Sequence, residues 1–178
     1  MFFKSFLLFI VLISVNVFAK DKAASSEFVL FADSLSKKNI EMDFSKNLTG
    51  VNDPSLLFAE FAGKPLLIYY FSPKCAHCQH HFPTFQNLVK EFEPKGVQGI
   101  SIALGGYIKK NDIRMFIEQF NTSIPVFQDT EMQFGPTYGT GYVPVVFLVL
   151  PNKTFYRYEA LNDASIEHIR KVLNETQK

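Results

Sequence analysis

Tryptophan is absent from the 178 residues, and cysteine occurs only twice. Two cysteines exclude a disulfide-dense mini-scaffold, and a chain of this length does not need one. Neither sign of charge dominates: Lys and Arg number 18, Asp and Glu 17, for a net charge of +1. That balance argues against a nucleic-acid partner held by bulk charge. Beyond the first 19 residues, no apolar run approaches the roughly 20 residues that span a bilayer. Internal repeats and low-complexity linkers are also missing. What is abundant is apolar surface. Hydrophobic residues make up 47% of the chain and phenylalanine alone occurs 20 times, which excludes a disordered tail and suits one folded domain.

Five of the phenylalanines, Phe2, Phe3, Phe6, Phe9 and Phe18, fall in the first 19 residues. There, Lys4 is followed by an apolar run over residues 6–13, by Val17-Phe18-Ala19, and by the polar Lys20-Asp21-Lys22. A basic start, an apolar run and a small-residue exit describe a secretory signal peptide, with cleavage expected after Ala19. The run is too short for a membrane anchor. No cysteine follows the site, so a lipoprotein is not expected. Cleavage removes one lysine, leaving a neutral chain with fifteen of the twenty phenylalanines. The expected location is the periplasm or another extracytoplasmic space, where disulfides persist.

Residues 20–39 read as a polar lead with a possible hairpin strand at 28–31, and residues 40–178 as one domain. Residues 40–44 are a candidate strand. Asp53-Pro54 reads as the start of a helix that runs through Leu56, Leu57, Glu60 and Phe61 to Gly63. Residues 65–71 form an unbroken apolar run, the pattern of a strand buried on both faces. Ser72-Pro73-Lys74 breaks it, and a helix follows over about 75–93. Residues 97–104 predict a second buried strand, Asn111-Asp112 opens a helix carrying Ile113, Phe116, Ile117 and Phe120 on one face, and 125–128 is an expected edge strand. Residues 145–150 and 154–158 form a hairpin around Pro151-Asn152-Lys153. Asp163 is the expected cap of a last helix with Ile166, Ile169, Val172 and Leu173 on one side. This alternation predicts an α/β fold with a mixed central sheet flanked by helices.

Cys75-Ala76-His77-Cys78 stands where the first buried strand meets its helix. At a helix N-terminus, free N–H groups and the dipole favour a thiolate at Cys75. The spacing puts Cys78 one turn in, on the same face. Lys74 and His77 add positive charge or donors beside the Cys75 sulfur. Cys75 is therefore expected to be the attacking thiol and Cys78 the recessed, resolving one. A structural disulfide is the bland alternative, but a loop this short restrains little unfolded-chain entropy. Haem attachment needs His directly after the second cysteine, where this chain has Gln79. Pro83 falls inside the helix, where it should kink it. Val143-Pro144 precedes the apolar strand, after Gly139-Thr140-Gly141.

With these residues in place, the chain resembles the thioredoxin superfamily, and most closely the exported TlpA/ResA-like thioredoxins. Gly63-Lys64-Pro65, the segment Ser72 to Cys78, Pro83, and Tyr138-Gly139-Thr140-Gly141-Tyr142-Val143-Pro144 carry the resemblance, which spans roughly residues 40–172. It implies a thioredoxin-like fold, a cis Val143-Pro144 bond packed against the cysteine pair, and a Val143 backbone that pairs with substrate. It further implies a thiol–disulfide oxidoreductase acting on protein thiols or disulfides, without a cofactor, as a monomer fed by a membrane redox partner. Three positions depart from the pattern. Lys74 replaces a usual tryptophan, Tyr69 stands where thioredoxins proper have a buried acid, and His81 stands where cytochrome-maturation members have one. His77 between the cysteines is shared with DsbA-type oxidases, so a thiol oxidase is the alternative direction. Yet only one helix is expected between residues 105 and 122, not the helical domain of those enzymes.

Three of four histidines crowd the helix start. His77 and His81, four apart, are expected to share a face, with His80 pointing away. The bland reading is a solvated polar helix start with His77 alone touching the thiolate; Lys74, His77 and His81 are the candidate thiolate-tuning residues. A copper-binding chaperone using Cys75, Cys78 and His81 is the competing reading, although no metal is expected. A peroxidase would need a Thr or Ser and a Pro a few residues upstream of its cysteine, a pattern Pro73 and its neighbours do not supply. His168, on the last helix, is expected at the surface.

Overall fold

The computed structural model describes residues 40–176. The signal-peptide segment, the polar lead and the candidate strand at 28–31 lie outside the described residues. Six strands form one sheet in the order β1-β4-β3-β2-β5-β6. They are β1 Thr49–Gly50, β2 Leu66–Phe71, β3 Gln98–Ala103, β4 Val126–Gln128, β5 Val145–Val149 and β6 Phe155–Tyr158. β2, β3 and β4 run parallel, while β5 is antiparallel to β2 and β6 to β5. The helices are α1 Ala76–Phe92, α2 Lys110–Phe120, α3 Phe134–Tyr138 and α4 Asp163–Glu175. The mixed sheet and its helices are those of a thioredoxin-like fold.

Alternation along β2 builds two cores. Leu67, Tyr69 and Phe71 face one layer with Phe82, Phe85, Phe116, Ile169 and Leu173. Leu66, Ile68 and Tyr70 face the other with Phe58, Phe61, Phe134 and Tyr138. Every β2 residue is buried, as an unbroken apolar run requires when both faces are covered. α1 buries Cys78, Phe82, Phe85, Leu88, Val89 and Phe92, the three-and-four spacing of one helical face. Without tryptophan, phenylalanine fills the large volumes. Phe71 and Phe82 flank Phe116 at ring distances of 4.5 and 4.7 Å, contacts worth about 0.5–1.5 kcal/mol beyond burial.

Several expectations shift. The helix expected from Asp53 to Gly63 is only a 3-10 turn, Phe58–Phe61. The Asp53 carboxylate instead closes a tight turn on the N–H and hydroxyl of Ser55. Phe58 and Phe61 are buried in the core, Leu56 packs against it half-buried, and Leu57 is exposed. Residues 40–44 form no strand: Met42 and Phe44 are buried, with the Met42 N–H donating to the Lys153 carbonyl. β4 is not an edge, because the two-residue β1 pairs outside it. α4 is capped by Asn162 rather than Asp163, its side chain accepting from the Ser165 N–H. No described helix is long and apolar enough to cross a membrane.

Candidate active site

The parallel direction of β2, β3 and β4, with β5 reversed, brings four connections to one end of the sheet. They are the turn after β2, the segments after β3 and β4, and the loop before β5. The Cys75 N–H donates to the Ser72 carbonyl, closing the turn that ends β2. The Gln79 side-chain amide pins it by donating to the Pro73 carbonyl at 2.7 Å. Cys75 is then the N-cap of α1, and its sulfur accepts from the Cys78 N–H at 3.3 Å.

Both cysteines are free thiols. Cys75 is half-buried, whereas Cys78 is fully buried. Burial pushes the Cys78 thiol well above the ordinary range, with the neighbouring Cys75 sulfur adding to the rise. The Val143-Pro144 peptide is cis, and the Val143 carbonyl oxygen lies 3.9 Å from Cys75 Sγ. Cys75, Cys78, Val143 and Pro144 are thus brought together.

The other expected site residues make contacts of their own. Lys74 Nζ is 3.0 Å from the Asp112 carboxylate on α2, so its charge is shared with that acid. His77 is exposed and its ring rests on His81, with centroids 4.5 Å apart. His80 does not point away, since its ring is 5.1 Å from His81. Burial and the two neighbouring rings hold His81 below the usual histidine range. Among the described residues, no three His, Cys, Asp or Glu side chains are grouped as metal ligands. His168 is half-buried rather than at the surface, its Nδ1 2.8 Å from the Tyr158 hydroxyl.

Two supporting roles, those of Tyr69 and Arg157, were not read from the sequence. The Tyr69 hydroxyl donates to the Cys78 carbonyl at 2.7 Å, tying the cysteine helix to the sheet. Burial pushes that phenol upward, with both cysteine sulfurs adding to the shift. Arg157 Nη1 donates to the carbonyls of Tyr138 at 2.6 Å and Gly139 at 2.7 Å, where the loop to Pro144 begins. A lone arginine in an aromatic strand was the signal available for it. A cavity of about 850 Å³ lined by Lys64, Gln98 and Pro125 opens at the opposite end of the sheet and touches none of these groups.

A model of the AhpC/TSA family matches residues 38–157. The chain belongs to this family. It is also similar to the thiol-disulfide oxidoreductase ResA of Oceanobacillus iheyensis, 24% identical over 102 residues, covering 57% of this chain and 52% of that protein. The ResA of Bacillus cereus is 24% identical over 127 residues, covering 68% of this chain and 72% of its own length. The match thus spans about half the length of the Oceanobacillus relative. Among solved structures, the thioredoxin domain of a thiol-disulfide oxidoreductase from Bacteroides vulgatus superposes with a TM-score of 0.64 at 17% identity, covering 76% of this chain and 99% of that one. A secreted Mycobacterium tuberculosis disulfide oxidoreductase homologous to E. coli DsbE gives 0.61 at 15% identity, covering 74% and 96%. The thioredoxin-like fold expected from the sequence is the one observed.

Proposed function

We propose that the chain is an exported thiol–disulfide oxidoreductase that exchanges the Cys75–Cys78 pair with protein substrates. One observation carries the reading: Cys75 Sγ is half-buried at a helix N-terminus beside the Val143 carbonyl, while Cys78 is sealed one turn behind it. In reduction, the Cys75 thiolate attacks one sulfur of a substrate disulfide and expels the other as a thiolate. Cys78 then gives up its proton and attacks the Cys75 sulfur. The mixed disulfide breaks, the substrate leaves with both sulfurs reduced, and the pair is left oxidised. Run backwards, the same steps oxidise a substrate.

Reduction is the favoured direction. The curated relatives bear the ResA name, and the segment between β3 and β4 holds the single helix α2. A membrane donor would re-reduce the pair in the cell envelope. The N-terminal pattern supports export, with residues 1–19 as signal peptide, 20–39 as a lead and 40–178 as the domain.

Insulin reduction by dithiothreitol tests the activity: the chain should accelerate it and Cys75→Ser should abolish the acceleration. An active Cys75→Ser would end the proposal. A redox titration tests the direction. A potential near about −270 mV fits a reductase, and one near about −120 mV would make the chain an oxidase.

A further inference from the structure

Lys74 and Asp112 form an ion pair that the exchange steps do not use. Lys74 Nζ lies 3.0 Å from Asp112 Oδ2, and both ends of the pair are anchored. The Lys74 N–H donates to Ser72 Oγ at 3.3 Å, in the turn that the Cys75 N–H closes on the Ser72 carbonyl. Asp112 sits in the first turn of α2, and its Oδ2 also accepts from the Lys109 N–H at 2.9 Å. That bond first, and then Lys74, holds the Asp112 carboxyl below the usual carboxylate range. A full negative charge therefore stands beside the lysine at neutral pH.

Lys74 directly precedes Cys75. Its four-carbon stem and the Cα step of about 3.8 Å keep the ammonium within about one Debye length of the thiol, roughly 10 Å at 0.1 M salt. A lone ammonium there would favour the sulfur as a thiolate, a form only the reduced pair contains. Stabilising the reduced form raises a dithiol's reduction potential and makes it a stronger oxidant. Paired with a carboxylate, the ammonium presents little net charge to Cys75.

We propose that Asp112 is a positioning residue for thiol–disulfide exchange: it draws the Lys74 ammonium into an ion pair with α2 and so keeps the Cys75–Cys78 pair on the reducing side. The proposal rests on the exchange reading of Cys75 and Cys78. Lys74 is 51% exposed, so water screens the charge and keeps the expected shift modest.

The test is an equilibrium titration of the full chain in mixtures of reduced and oxidised glutathione, with dithiol and disulfide forms separated by mass after alkylation. Two glutathione thiols reduce the pair. The Cys75–Cys78 bond breaks as the glutathione disulfide forms, the electrons pass to the cysteine sulfurs, and the glutathione protons go to those sulfurs or to water. Asp112→Asn keeps an oxygen for the Lys109 N–H but deletes the charge. It should shift the equilibrium about three- to tenfold toward the dithiol, tenfold being about 30 mV. Lys74→Gln leaves the carboxylate alone and should shift it the opposite way. The double variant, and Asp112→Glu, should both lie within about twofold of wild type. In about 1 M salt the single shifts should shrink, because the Debye length falls to roughly 3 Å. Single variants that move the equilibrium in the same direction, or by less than about twofold, would overturn the proposal, as would a double variant that fails to return. A wild-type pair that titrates while the variants stay put overturns this proposal alone. If the wild-type cysteines form no disulfide with each other in any mixture, the exchange reading falls and this one with it.

Discussion

Arg157 Nη1 donates to the Tyr138 carbonyl across 2.6 Å, from a strand whose other three side chains are aromatic. The same nitrogen reaches the Gly139 carbonyl, so one buried guanidinium anchors the start of the loop that ends at Pro144. Arg157→Met strands both acceptors. A buried unpaired group costs about 1–3 kcal/mol, and the Gly139 carbonyl is only partly buried, so a loss of at least about 1–3 kcal/mol is expected in urea unfolding. Arg157→Lys should recover part of it, since an ammonium can supply a donor but not the planar fork. A loss below about 0.5 kcal/mol for Met would show that the clamp contributes little.

The resolving step should be controlled by pH. Burial is the first cause of the raised Cys78 thiol, and burial persists when Cys75 is joined to substrate. Below its raised value the reactive thiolate fraction grows about tenfold per pH unit. Decay of a preformed mixed disulfide, measured by rapid quench, should therefore quicken steadily from pH 6 to 9. A flat profile would mean that another group takes the Cys78 proton.

Tyr69 tests the tie between sheet and cysteine helix. Tyr69→Phe keeps the ring among Phe71, Phe82 and Phe85 but removes the bond to the Cys78 carbonyl. The expected cost is about 1 kcal/mol in urea unfolding. No measurable cost would show that the carbonyl does not need this donor.

His168 should make stability fall in acid. Burial, then Lys171, holds it below the usual histidine value, while Glu175 acts in the opposite sense. Between its folded value and the ordinary value of about 6.5, the unfolded chain binds more protons, so stability rises with pH there. The contribution is whole above about pH 6.5 and is lost as pH falls through that window. His168→Gln should flatten the decline in chemical unfolding between pH 7 and 5. An unchanged slope would move the effect to other groups, His81 first, since it is shifted the same way.

The parts legible in the sequence are those set by local pattern. The apolar run of β2, the cysteine spacing on α1 and the one-sided stripe of α4 each carry their structure within a few residues. α3 does not. It contains Gly135 and Pro136, and it forms because the buried Asp129 carboxylate, at the end of β4, accepts from the N–H groups of Gln133, Phe134 and Gly135. Gly135 also has no room for a Cβ beneath the Tyr70 hydroxyl. β1 is two residues held by pairing with Gln128 and Phe127, too short to leave a periodic trace. The Arg157 clamp joins residues far apart in the chain. In the site, the cysteine spacing was legible, but the carboxylate that holds Lys74, Asp112, comes from a different helix.

The central claim is that Cys75 attacks and Cys78 resolves. Its most direct test is mass analysis of the Cys78→Ser and Cys75→Ser proteins after mixing with a disulfide-bonded protein substrate. Cys78→Ser should accumulate a one-to-one mixed disulfide through Cys75, and Cys75→Ser should stay unmodified. Equal adducts on both variants, or an adduct only on Cys75→Ser, would contradict the account.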